Sequence, residues 1–151
     1  MSVYMKLQKI QFELKAPKNQ KNTFGGYKYR NLEDICEAVK PLLNKYGCSL
    51  ILSDDVIMVG ERTYIKATAT IIEGETGETA SNCGYAREDV AKKGMDLSQL
   101  TGACSSYARK YALNGLFCID DTKDADATNK GEEPPKRRSR RKVTVDESCP
   151  F

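Results

Sequence analysis

Apolar positions along the chain follow a helical period at both ends and alternate in the middle. Val3, Leu7, Ile10 and Leu14 recur at helical spacing and predict a helix over residues 2–15. Residues 16–26, rich in Lys, Asn and Gly, read as a loop. Leu32, Ile35, Cys36, Val39, Leu42 and Leu43 then form a strong apolar stripe. Asn31 is a good N-cap for that second helix, and Asp34 at its third position suits the helix dipole. Pro41 is expected to kink the helix or end its regular bonding, and Gly47 to cap its C-terminus.

Three strand-like runs follow. Ser49–Ser53 and Val56–Val59 flank Asp54-Asp55, a turn-forming pair, and read as one bent strand or as a tight hairpin. Over Thr63–Ile72 the alternation is clear: Ile65, Ala67, Ala69 and Ile71 face one way, Tyr64, Lys66, Thr68 and Thr70 the other. Residues 73–78 (EGETGE) form a turn, and Thr79–Arg87 is a weaker third strand.

A longer helix begins near Leu97, where Asp96 and Gln99 resemble a capping box, and Gly115 is its natural C-cap. At about 100° per residue, Leu97, Leu100, Cys104, Tyr107, Ala108 and Tyr111 share one stripe, which assigns both tyrosines to the core. Gly102, Ser106, Arg109 and Lys110 fall on the opposite side. Small residues there would let a polyanion approach the backbone, and Arg109 and Lys110 would supply charge. Ordinary solvated charges on a surface helix fit the same spacing.

A strand meander with one apolar face needs a cover, and the amphipathic helices supply it, so the fold class is α+β. Composition changes after Ile119, placing a domain boundary near Thr128: a folded domain over 1–128 and a disordered basic tail over 129–151. No internal repeat is present.

At 151 residues the chain holds one domain with a real core. It has no apolar run of about 18 residues to span a membrane. Lys6, Lys9 and Glu13 interrupt the first apolar stretch, so no signal peptide is expected. Cysteines 36, 48, 83, 104, 118 and 149 stand singly, a pattern of reduced thiols in a cytoplasmic protein.

With no histidine, His-dependent nucleophilic catalysis and His-containing metal sites are excluded. No phosphate-binding GxxxxGK[ST] loop occurs. Neither a cofactor nor a metal is expected, and the chain does not read as an enzyme. Carboxylate-bound Mg²⁺ chemistry survives these exclusions. Asp120, Asp121, Asp124 and Asp126 therefore leave a Mg²⁺-dependent nuclease as an alternative.

Charge is uneven. Residues 1–129 hold 17 basic and 17 acidic side chains, while residues 130–151 hold seven basic and four acidic. The block Lys136, Arg137, Arg138, Ser139, Arg140, Arg141 and Lys142 repels itself and attracts polyanions. Nuclear-localisation signals have the same look, so a nuclear nucleic-acid interaction module is a further alternative.

Three segments in this order carry a family resemblance: Phe24-Gly-Gly-Tyr-Lys-Tyr-Arg-Asn31, then Leu32–Leu43, then Gly102–Leu113 with its acidic exit. Over residues 3–126 the chain resembles the essential-recombination-function (Erf) family of phage single-strand annealing proteins. The resemblance implies an annealing-protein fold, a strand meander packed on a long helix, with subunits assembled into rings or filaments. It implies binding of single-stranded DNA and pairing of complementary strands without ATP, in the bacterial host cytoplasm.

Arg109 and Lys110 are the first candidates for DNA-backbone contacts, the arginine as a fork and the lysine as a point charge. Tyr27, Lys28, Tyr29 and Arg30 interleave aromatics with cations after Gly25-Gly26, a pattern suited to base stacking beside phosphates. A tyrosine there could equally staple the following helix to the sheet. Lys92 and Lys93 precede the long helix, and Arg62 and Lys66 lie on the polar sheet face. In the tail, Lys136, Arg137, Arg138, Arg140, Arg141 and Lys142 are expected to hold DNA non-specifically. The last residues, Val145–Phe151, resemble the acidic tip of bacterial single-stranded-DNA-binding proteins. Pro150 and Phe151 are then expected to engage partners that read such tips, or the host's single-stranded-DNA-binding protein itself.

Overall fold

The structure, a computed structural model, describes residues 1–26, 28–90 and 93–119. Its elements in chain order are α1 (Val3–Glu13), β1 (Gln20–Lys21), β2 (Lys28–Tyr29), α2 (Leu32–Tyr46), β3 (Cys48–Val59), β4 (Arg62–Glu73), β5 (Thr79–Arg87) and α3 (Leu97–Phe117). The fold is α+β. The sheet β3-β4-β5 is an antiparallel meander, and β1 and β2 form a separate antiparallel pair. Expected boundaries near 128 and the 129–151 tail lie outside the described residues. No helix among the described residues is long and apolar enough to cross a membrane.

The alternation in β4 sets the layering. Ile65, Ala67, Ala69 and Ile71 are buried beneath the helices, while the residues between them face away from the core. Val3 and Ile10 of α1, Ile35 and Val39 of α2, and Ala108, Ala112 and Leu113 of α3 complete the same core. Helix α3 lies mainly against β5 and β4.

Small residues make that packing close. A Cβ at Gly84 on β5 would stand 2.4 Å from both the Ala108 carbonyl oxygen and the Ala112 nitrogen. Only glycine allows the helix backbone to approach the strand this far.

Local signals explain the second helix. Asn31 accepts from the Asp34 amide at 2.8 Å, and the Asp34 carboxylate accepts from the Asn31 amide at 3.0 Å. This capping box closes the N-terminus, and Gly47 in the left-handed region closes the other end. The helix does not end at Pro41. It runs from Leu32 to Tyr46, and the proline ring sits on its exposed side.

Other expectations are corrected. Of the two readings of residues 49–59, the single strand holds and the hairpin does not: β3 continues through Asp54-Asp55, with Asp54 paired to Ala67 and Asp55 to Lys66, and the chain reverses at Gly60-Glu61. Residues 16–26 are not wholly loop, because Gln20 and Lys21 pair with Tyr29 and Lys28. Gly115 does not cap α3. The helix continues for two residues, burying Leu116 and Phe117, and Cys118 adopts the left-handed cap. Gly115 instead makes room for Asn82, whose Nδ2 lies 2.3 Å from where a Cβ would stand and donates to the Ala112 carbonyl at 3.1 Å.

Candidate nucleic-acid interface

Helix α3 positions the candidate site. Asp96 caps it by accepting from the Gln99 amide at 2.8 Å. Its buried residues follow the i, i+4 row Leu100, Cys104, Ala108, Ala112 and Leu116. On a regular helix that row winds by about 40° per step rather than running parallel to the axis. The contact line therefore leaves Tyr107 and Tyr111 on its flank. Both were expected in the core, and both are exposed, at 55% and 48%. Leu97 is likewise 75% exposed.

The basic pair Arg109-Lys110 separates. Arg109 turns to β3, where its Nε donates to Asp54 Oδ1 at 3.0 Å and its Nη2 to Oδ2 at 2.9 Å. Ser105 Oγ donates to the same carboxylate at 2.5 Å. Partial burial pushes the Asp54 carboxyl up, but the Arg109 and Ser105 hydrogen bonds and the guanidinium charge bring it below its usual value. The hydrogen bond to Asp54 raises Arg109 in turn. This guanidinium fork is used within the fold.

Lys110 turns the other way, towards the segment after β2. Its Nζ donates to the Arg30 carbonyl at 3.3 Å and stands 5.7 Å from the centre of the Tyr107 ring. Tyr107 and Tyr111 have ring centres 6.4 Å apart. No carboxylate pairs with Lys110 among the described residues.

Between α3 and the β1–β2 pair lies an open cleft of about 360 Å³, bordered by Asn22, Tyr29, Asn31, Ser106, Tyr107 and Lys110. Its outer wall is built by the chain itself. Asn22 Oδ1 accepts from the amides of Phe24 and Gly25 at 2.9 and 3.1 Å, shaping the turn before β2. The capping box at Asn31 fixes the start of α2 beneath it.

The structure thus brings together members of two candidate groups, Lys110 with Tyr29 and Arg30. Arg30 is buried, and its contribution at this cleft includes a backbone acceptor. Lys28 is exposed on β2, and Lys93 is exposed in the loop before α3. Tyr27, Lys92, the acidic residues Asp120, Asp121, Asp124 and Asp126, the basic run 136–142, and Pro150 with Phe151 lie outside the described residues. The five described cysteines form no disulfide.

Tyr107 and Tyr111 are surface residues. Their spacing around Lys110, Tyr-x-x-Lys-Tyr, is visible in the chain. A straight helical stripe drawn from Leu97 assigned them to the core instead.

A family model described as the ERF superfamily matches residues 3–148, reaching past Asp126 across the basic run. The essential recombination function protein of Salmonella phage P22 is 60% identical over 123 residues, which cover 82% of this chain and 58% of that protein. The chain therefore spans less than two thirds of that relative's length. No solved structure matches it.

Proposed function

We propose a function from one premise: the chain belongs to the ERF superfamily. It serves phage recombination by binding single-stranded DNA in the cleft between α3 and β2 and by promoting the pairing of complementary strands without ATP. The reading rests on Lys110, a cation with no carboxylate partner among the described residues, set beside the exposed rings of Tyr107, Tyr111 and Tyr29. Exposed rings accept any base by stacking, and an adjacent ammonium meets the phosphate between bases. Recognition of this kind is tolerant of sequence, as annealing requires.

Pairing of complementary strands is downhill. The protein need only hold one strand extended with its base edges accessible. Each subunit offers a short basic strip, so a long DNA path calls for repeated subunits, and we place the activity in a homo-oligomer, a ring or filament. The run Lys136–Lys142 adds sequence-independent attraction.

Fluorescence-monitored annealing of complementary oligonucleotides in EDTA tests this function. The expected result is a rate well above that of the protein-free mixture. An equal rate overturns it, and strand cleavage that appears only with Mg²⁺ would support the nuclease alternative. Light scattering that finds only monomers, with and without DNA, overturns the oligomer.

A further inference from the structure

The sheet has a second face that the helices do not cover. Along β4 the residues facing the core are buried, whereas Tyr64, Lys66, Thr68 and Thr70 point the opposite way. The same register puts Tyr85 and Arg87 of β5 on this outer face, with Tyr85 49% exposed and Arg87 exposed.

Cross-strand pairing gives the face a pattern. Tyr64 lies directly opposite Arg87, and Lys66 directly opposite Tyr85. Directly opposed Cβ atoms on one face are about 5 Å apart, and diagonal neighbours about 7–8 Å. Two tyrosines therefore occupy one diagonal of a small square and two cations the other. Arg62 lies two residues before Tyr64 on the same face and pairs with Val59 of β3. Asp55, opposite Lys66, is the one carboxylate at the outward positions of the three strands.

Some cations of the described residues are already engaged by carboxylates within the fold. Lys6, Lys40, Lys45 and Arg109 each hold a carboxylate. Arg62, Lys66 and Arg87 form no ion pair among the described residues. Three unneutralised cations against one carboxylate, interleaved with two aromatic rings on one sheet face, match the chemistry of single-stranded nucleic acid.

We propose that this outer sheet face is a second binding surface for single-stranded DNA, separate from the α3–β2 cleft. Tyr64 and Tyr85 stack on bases, and Arg62, Lys66 and Arg87 contact phosphates. Two surfaces on opposite sides of one subunit let the protein hold a strand at the cleft and gather a second strand from solution. The proposal rests on the annealing function above but names a site that the function does not require.

Photo-cross-linking of the full chain to an oligo(dT) carrying 5-bromodeoxyuridine, followed by peptide mapping, tests it. The expected result is cross-links at Tyr64 or Tyr85 as well as at cleft tyrosines. Cross-links confined to Tyr29, Tyr107 and Tyr111 overturn this proposal and leave the annealing function standing. No cross-links and no binding overturn the function itself. Protection of Tyr85 from chemical labelling by protein concentration alone, without cross-links, assigns the face to contacts between copies and also overturns the proposal.

A triple variant Arg62→Thr, Lys66→Thr and Arg87→Thr keeps strand-forming residues in place. It should lower the magnitude of the salt slope of oligo(dT) binding by about 2, from three single-strand contacts at about 0.7 each. An unchanged slope in a folded variant counts against the surface, and circular dichroism of the same sample verifies the fold.

Discussion

Arg109 and Asp54 clamp the long helix to the edge of the sheet. The guanidinium presents two nitrogens to two carboxylate oxygens, at 3.0 and 2.9 Å, and Ser105 adds a third donor one turn earlier on the same helix. Asp54 thus occupies an inward-facing position of β3 without remaining an unmatched charge. The pair is partly solvated, with Arg109 and Asp54 side chains 35% and 24% exposed. Water and salt screen a contact of that kind, so its worth is modest.

Arg109→Ala should lower stability by about 1 kcal/mol. A double-mutant cycle with Asp54→Ala, read by urea denaturation, should return a coupling of similar size. The salt slope of single-stranded DNA binding should stay near that of the parent protein, because the guanidinium is engaged inside the fold. A slope reduced as much as by loss of a phosphate contact would return Arg109 to the DNA surface.

Lys110→Ala should do the reverse. Its ammonium holds no carboxylate, so urea stability should change little, while the magnitude of the DNA salt slope falls by about 0.7. Tyr107→Ala should weaken binding by about 1–3 kcal/mol if one base stacks on the ring. Fluorescence anisotropy across a salt series measures both effects. Full affinity in the Lys110→Ala and Tyr107→Ala variants would remove the cleft from the site.

Much of this arrangement was legible in the chain. Alternation of Ile65, Ala67, Ala69 and Ile71 gave the buried face of β4, and Asn31 with Asp34 gave the start of α2. These signals are local: side-chain period and capping act within a few residues. What was left open or misread depends on partners distant in sequence. Asp54-Asp55 has turn chemistry, but the ladder to Ala67 and Lys66 and the fork from Arg109 keep it in a strand. Gly115 has cap chemistry, yet burial of Leu116 and Phe117 extends the helix past it. Of the candidate site, Lys110 and Tyr29 were legible as a basic and an aromatic residue. That they share a cleft, while Arg109 does not, depends on where α3 crosses the sheet, with Arg109 meeting Asp54 of β3 and Lys110 the segment after β2.

Gly84 provides a direct test of that crossing. A Cβ there would stand 2.4 Å from Ala108 O and Ala112 N, both backbone atoms that cannot rotate away. Gly84→Ala should therefore destabilise the protein by about 1–3 kcal/mol by pushing α3 off β5. The displacement would also carry Tyr107 and Lys110, so DNA affinity should fall in protein that is still folded. Thermal unfolding and anisotropy on one preparation separate the two effects. Unchanged stability would mean that the helix does not approach β5 this closely.

Glu73 predicts the response to acid. Its carboxylate is 1% exposed, accepts from the Glu75 and Thr76 amides at 3.0 and 2.7 Å and from Thr76 Oγ1 at 2.8 Å, and is ion-paired with Lys6. The Lys6 hydrogen bond, followed by those from Thr76, holds its pKa at about 2 against a usual 4.5. A lowered folded-state pKa means that the unfolded chain takes up this proton first. The resulting stabilisation is fully present above about pH 4.5, declines as the pH falls below that, and is gone below about 2. Glu73→Gln keeps the side-chain shape but removes the titration and the ion pair. It should be less stable than the parent at neutral pH, and the difference should shrink steadily between pH 4.5 and 2. Since Glu73 joins α1 to the β4–β5 turn through Lys6, hydrogen exchange in α1 should accelerate in the same variant. Parallel stability curves for parent and variant across this pH range would show that Glu73 does not carry the acid sensitivity.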